Sequence, residues 1–362
     1  MRRCLARRRW YRLFNALRVM RRVRLISETL ESRQWTSSSD DEMTLSSGFD
    51  NANLPYLHPF SRYHCLFDKI HLIINNGTFG TVFSVQNKDT KESFAARHVK
   101  AMNIRNNLRE EASILWQFRN VSELIQLQGL YEGPHQSVLV IEDLIGCDLA
   151  ERVSKPWFEL NESKCKRYVQ QICSGLAFVH KNNIVHLDIK PFTLVFANMD
   201  DNSPLKITDF IFAKRLTAYS DPNLATKSIK IQSLDGFALS SVEFLAPEMI
   251  ECTYATFATD AWNVGIIACM LVTGGKSPFY EGNRFRTTAR ILSCKLDLTG
   301  PEFAYISKEA KDFIKQLLKP MQKDRYSMSQ CLKHEWLTKD VRADAKLRTL
   351  EVRVALKHVE TE

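Results

Sequence analysis

Hydrophobic positions along the 362-residue chain follow two different periods, and the change from one to the other lays out its plan. From about Tyr63 to Leu337 the apolar pattern is continuous. It opens with short alternating or β-branched runs. His71–Asn75, Thr81–Gln86 and Ser93–Val99, separated by turn residues, predict three strands. Ile114, Leu115 and Phe118 at helical spacing predict a helix, and Ser137–Glu142 a further strand. The period then becomes that of helices. Cys165–Lys181 carries Tyr168, Ile172, Leu176 and Val179 on one face. Ala258–Thr273 reads as a buried helix and Lys308–Leu318 as an amphipathic one. A small β-rich part ahead of a larger helical part predicts an α+β chain with any ligand cleft between the two. The longest wholly apolar run, Val264–Val272, falls well short of the ~18–20 residues that a bilayer-spanning helix needs.

The flanks follow neither period. Residues 29 to about 62 are rich in Ser, Asp, Glu and Asn, with Ser37-Ser38-Ser39-Asp40-Asp41-Glu42 at their centre. Such a composition buries too little apolar surface to offset its ordering entropy, so a disordered linker is expected. Residues 338–362 read as a charged helical tail.

Charge adds a separate element. The net charge is +9, yet the first 24 residues carry ten Arg and no acid, which leaves the rest at −1. A near-neutral body with one cationic arm (1–28) gives no reason to expect nucleic-acid binding by the body. Met1–Arg24 lacks the uninterrupted apolar core of a secretory signal. The nine cysteines show no C-x-x-C pair and no zinc spacing. They are expected to be reduced thiols of a cytoplasmic protein, with a cytoskeletal site as the narrower expectation.

Several short motifs carry chemistry. Asn75-Asn76-Gly77-Thr78-Phe79-Gly80-Thr81-Val82 lies between two predicted strands; glycines there let backbone N–H groups approach phosphates. Arg97 sits in the strand Phe94–Val99, and Glu111 in the helix after it. His186-Leu187-Asp188-Ile189-Lys190-Pro191-Phe192-Thr193 precedes Thr208-Asp209-Phe210-Ile211. Ala246-Pro247-Glu248 and Asp260-Ala261-Trp262-Asn263-Val264-Gly265 follow. Singly these are weak. Hairpins with two glycines are common, and Asp148, after Glu142 and Leu144, reads equally well as a helix cap.

In this order and spacing the set resembles a protein kinase catalytic domain over nearly all of the periodic region. It looks closest to the myosin light chain kinase, titin and death-associated kinase branch. The resemblance implies a bilobal kinase fold over 63–337, with an N-lobe at 63–142 and a C-lobe at 147–337. It implies ATP and Mg²⁺ as cofactors where nucleotide binding is retained, and a protein substrate or a cytoskeletal or myosin partner. By resemblance, Gly77, Gly80 and Val82 cover the nucleotide. Arg97 and Glu111 form the phosphate-binding ion pair. Glu142 and Leu144 belong to the hinge, and Asp148 meets the ribose. Asp188 takes the proton of the substrate hydroxyl, Lys190 steadies the transferring phosphoryl group, and Asp209 with Thr193 stands at the metal. Glu248 should pair with Arg325, and Leu115, Leu127, His186 and Phe210 should stack between the lobes.

The departures concern the same chemistry. Asn75 replaces the first loop glycine, a mild change because Asn tolerates left-handed backbone. Arg97 stands where the family has Lys; its planar fork is no substitute for a compact ammonium. Lys100, three residues on, faces the other side of the strand. Thr193 stands where the family has Asn, and a hydroxyl is a poorer match to a near-octahedral Mg²⁺ site. Ile211 replaces a glycine and is expected to resist the backbone angles there, displacing Asp209. Leu187 removes the usual partner of a phosphorylated activation loop. The segment from Asp209 to Glu248 is long, with extra residues around Thr217–Phe237. A pseudokinase or very weak kinase is therefore expected; an active Ser/Thr kinase on myosin light chain-type substrates is the alternative.

In the arm, Trp10, Leu13, Phe14, Leu17 and Met20 share one helical face. Trp10, Phe14, Leu17 and Val23 have the anchor spacing of a calmodulin target. The Arg7-Arg8-Arg9-Trp10 start resembles the calmodulin-binding tail of myosin light chain kinases. In that family the tail follows the kinase domain; here it precedes one, as in a tandem arrangement. A mitochondrial presequence, a membrane-surface helix and a merely solvated helix are the other readings.

Overall fold

The computed structural model describes residues 54–339, apart from 78–79, 101, 156–157, 217–226 and 232–241. The described chain folds as two units: residues up to 119 with 126–143, and 120–125 with 144 onward.

The first unit is built on a six-stranded sheet. In chain order it holds β1 (Leu57–Pro59), α1 (Phe60–Leu66), β2 (Phe67–Gly77), β3 (Gly80–Asn87), β4 (Ser93–Val99), α2 (Met102–Gln117), β5 (Leu127–Glu132) and β6 (Ser137–Glu142). The strands lie in the order β1-β5-β6-β4-β3-β2. Every pair is antiparallel except β1 with β5, where Leu57 faces Leu130. Val85, Ala96, Val138 and Val140 from three strands pack with Tyr63, Phe67 and Tyr131 into one buried cluster.

β1 and the first three residues of α1 fall in the segment read as linker, 29–62. β1 pairs with the sheet, and Tyr63 of α1 is 1% exposed. The folded chain thus begins ahead of Tyr63, because two buried tyrosines, Tyr56 and Tyr63, offset a polar neighbourhood that averaging weighs too heavily. β5 also lacks a clean alternation. Its register shifts between Leu127 and Gly129, and an irregular pairing breaks the period-two signal.

The Tyr63 hydroxyl lies 3.0 Å from His98 Nε2. Burial first, then the charges of Lys69 and His64, pushes the His98 imidazole down to about 4. The unfolded chain therefore binds a proton at His98 that the folded one refuses, and stability is lost as pH falls from about 6.5 towards 4. With screening in a ring that is partly exposed, the loss is roughly 1–2 kcal/mol. Urea titrations of wild type and His98→Gln at pH 7 and pH 5 check it: the variant should show the shallower acid slope.

The second unit is mainly helical. It comprises α3 (Leu149–Ser154), α4 (Glu162–Lys181), β7 (Ile184–Val185), β8 (Leu194–Phe196), β9 (Leu205–Ile207), β10 (Lys214–Arg215), β11 (Ile229–Lys230), α5 (Pro247–Ile250), β12 (Tyr254–Ala255), α6 (Phe257–Val272), α7 (Arg284–Ser293) and α8 (Lys308–Leu317). Two short helices follow α8. α6 is buried from Thr259 to Val272, as its all-round apolar sequence requires. Thr256 caps it, with Thr259 completing a capping box. Glu248 and Arg325 are both buried and joined by two bonds of 2.8 Å. None of the described helices is long and apolar enough to cross a membrane.

Candidate functional site

In the second unit, one hairpin and one buried carboxylate assemble the candidate residues. β8 and β9 pair antiparallel, with Leu194 opposite Ile207. One step beyond, the Thr208 N–H and hydroxyl donate to the Thr193 carbonyl at 2.9 and 3.1 Å. The loop 186–193 and Asp209 are thereby tied to the same end of the hairpin.

Asp260, at the start of α6 and fully buried, holds the other side of that loop. Its carboxylate accepts the backbone N–H groups of His186 and Leu187, each at 2.9 Å, and the ring of His180 at 2.8 Å. Leu187 has φ of 68°, an unfavourable angle for a side chain of this size. The two N–H bonds hold it there. The His186 ring lies 3.0 Å from the Thr208 carbonyl and edge-on to Phe210, with centroids 4.7 Å apart. Burial pushes the His186 imidazole below its ordinary pKa, against the pull of Asp260.

Within the loop, Lys190 Nζ donates to both carboxylate oxygens of Asp188, at 2.9 and 2.7 Å. Thr193 is 2% exposed. Its hydroxyl accepts the Lys190 N–H at 3.1 Å and donates to the Asp188 carbonyl at 2.9 Å, with the Lys190 carbonyl at 3.1 Å. The Thr193 oxygen is therefore committed to the backbone of its own loop.

Asp209 is exposed and takes left-handed backbone angles, φ 61° and ψ 63°. The expected strain at Ile211 is not found. Ile211 lies in a short 3₁₀ turn, Phe210–Phe212, has no positive φ, and is buried. The left-handed step falls on Asp209 instead, a residue type that tolerates it.

Asp148 caps α3, its Oδ1 accepting the Glu151 N–H at 2.7 Å. Leu144 lies in the same unit, half-buried. The other candidates belong to the first unit. Arg97 on β4 pairs with Glu111 on α2, both buried, while Arg97 Nε has no hydrogen-bond partner. Gly77 and Gly80 close the β2–β3 hairpin opposite one another. At Gly80, φ is 114° and a Cβ would overlap the His98 carbonyl, so only glycine fits. Val82 pairs with Arg97 across β3 and β4. Glu142 Oε1 accepts the Gln126 N–H at 2.8 Å. Trp10, Phe14, Leu17 and Val23 lie outside the described residues.

The family model for the protein kinase domain matches residues 69–337. The chain belongs to the protein kinase family. Among its relatives, smooth-muscle myosin light chain kinase of Gallus gallus is 35% identical over 271 residues, 74% of this chain and 13% of that protein. Myosin light chain kinase family member 4 of Mus musculus is 35% identical over 268 residues, 74% of this chain and 65% of that protein. The chain thus spans less than two thirds of either relative. Among solved structures, the autoinhibited serine kinase domain of the giant muscle protein titin is similar with a TM-score of 0.71 and 26% identity, covering 82% of this chain and 88% of that one. The twitchin kinase region of C. elegans gives 0.69 and 29%, covering 81% and 50%. The fold is accordingly the bilobal kinase fold, with a β-sheet N-lobe and a helical C-lobe.

Protein kinases use ATP and Mg²⁺. Asp209, which would hold such a metal, has an exposed carboxylate. Thr193, the other candidate ligand, has its oxygen turned into the loop. No cluster of three His, Cys, Asp or Glu suited to a metal is present among the described residues. The donor set thus fits a metal held from one side chain rather than two. In the N-lobe the positive charge opposite Glu111 is kept, in the bulkier form of Arg97. Sequence reasoning missed His180: it meets Asp260 from 80 positions away, on a helix face whose pattern announces only packing.

Proposed function

We propose that this is a myosin light chain kinase-like module in which phosphotransfer is absent or very weak, acting as a calmodulin-responsive regulatory or scaffolding element in the cytoplasm. One observation carries the reading: the Thr193 hydroxyl is bonded to its own loop and buried. A kinase positions the transferring phosphoryl through its metals, so a lost ligand acts on rate directly. Arg97 adds a second fault at the phosphates. The second reading, an active Ser/Thr kinase on myosin light chain-type substrates, is favoured by the preserved Arg97–Glu111 pair and by the unstrained backbone at Ile211.

Thermal melting of the full chain with ATP, with and without Mg²⁺, tests the nucleotide half. ATP should raise the melting temperature and Mg²⁺ should add little, because the metal gains few protein ligands. A large Mg²⁺-dependent increment contradicts the reading, and no response to ATP would leave a module without nucleotide. Calmodulin titration tests the other half. Binding should require calcium and weaken at least ~30-fold in Trp10→Ala/Phe14→Ala, the ~2 kcal/mol or more of a buried aromatic anchor. Calcium-independent binding, or indifference to the double variant, removes the calmodulin role.

A further inference from the structure

Helix α7 presents a surface that the kinase reading does not use. Its inner face is ordinary: Thr287 and Ile291, one turn apart, are buried. The outer face carries Phe285, Ala289 and Leu292, a row at helical spacing and all exposed. Phe285 is 88% exposed, the most exposed of the large hydrophobic side chains among the described residues, and Leu292 is 41% exposed. Arg284 and Arg286 adjoin Phe285 in the first turn, Lys295 follows just beyond the end of the helix, and all three are exposed as well.

Each feature is a cost to the isolated chain. Leaving a Phe side chain in water forgoes the free energy of burying its ring. The first turn of α7 has no acid and two arginines, where the helix dipole favours negative charge. Arg290, further along, is paired with Glu281; Arg284 and Arg286 have no side-chain ion pair among the described residues. Three disfavoured side chains in succession, joined by Leu292 on the same face, describe an aromatic anchor with a basic rim.

We infer that the outer face of α7 is a docking surface for an acidic protein segment that seats an apolar side chain on Phe285 and Leu292 and sets carboxylates against Arg284, Arg286 and Lys295. Charge selects this occupant. A second copy docking through the same patch would bring its own arginines against these, a like-charge arrangement. An anionic membrane satisfies the charges, but two large apolar side chains provide little of the insertion that holds a surface helix. The surface does not depend on whether phosphotransfer survives.

The test pans a displayed library of random peptides on the full chain. Two variants altered only at exposed positions are the comparison: Phe285→Asp/Leu292→Asp and Arg284→Glu/Arg286→Glu. Melting temperatures no lower than that of the wild type establish that both are folded. The expected peptides are acidic with an aromatic or aliphatic anchor. As synthetic peptides they bind the wild type at least tenfold more tightly than the apolar variant, weaken with added salt, and lose to basic peptides on the charge-reversed variant. Acidic peptides that bind all three proteins equally are bound elsewhere, for instance by the cationic arm, and overturn the proposal. So does Phe285-dependent sedimentation with phosphatidylserine–phosphatidylcholine vesicles without peptide binding, or a dimer that Phe285→Asp/Leu292→Asp dissolves.

Discussion

Replacing Thr193 by Asn and Arg97 by Lys together is expected to raise phosphotransfer by roughly 100-fold, about tenfold for each ~1.4 kcal/mol of transition-state stabilisation returned. An Asn at 193 has two polar ends. Its amide can take over the bond to the Asp188 carbonyl that the Thr193 hydroxyl now makes at 2.9 Å, leaving its carbonyl oxygen for the metal. A Lys at 97 replaces a planar fork, one of whose nitrogens is buried without a partner, by a compact ammonium that still reaches for Glu111. Ile211→Gly is the informative control. Since Ile211 has no positive φ and is buried, the change should give no gain in rate and should cost stability by opening a cavity in the 3₁₀ turn. Initial rates from labelled ATP to a myosin light chain peptide check all three, with Asp188→Asn as the blank. A gain from Ile211→Gly and none from Thr193→Asn would place the fault at the wrong residue.

Asp260→Ala is expected to destabilise the C-lobe by about 3–5 kcal/mol, a large share of the ~5–15 kcal/mol by which domains are stable. The change strands two buried N–H groups and the His180 ring at once, and frees Leu187 from its left-handed angle. Burial by itself raises the Asp260 pKa, but the bonds from His180 and the backbone outweigh it, and the net shift is downward. A carboxylate held below its unfolded value contributes stability in full above the ordinary carboxylate range. That contribution is lost as pH falls through the folded value. Urea unfolding at pH 7 and pH 3.5 should show a large loss for the variant at neutral pH and a smaller gap in acid. An equal gap at both would mean that the charge of Asp260 contributes nothing.

Much of this was legible in the sequence, and the exceptions share a cause. β4 and β6 have the bounds that alternation gives, and α4, α6 and α8 follow their apolar faces to within a few residues. Such elements are set by one buried face, which period alone reveals. β1 and α1 were hidden because their burial rests on two tyrosines in a polar stretch. β5 was hidden because Gly129 sits at a break in register. At the site, residue types could be read but not orientations. The sequence shows that 193 is Thr; only the hairpin shows its hydroxyl facing the loop. It shows Ile211 in a glycine position, and the expected strain was misplaced because the left-handed angle is taken by Asp209 two residues earlier.

The most direct test is the initial rate of phosphate incorporation into a myosin light chain peptide by the full chain, with calcium and calmodulin present, beside Asp188→Asn. The arrangement of Thr193 and Arg97 predicts rates for the two proteins that differ by no more than a few-fold. A wild-type rate several powers of ten above the variant would contradict it, and would show an active kinase that holds its metal without the Thr193 oxygen.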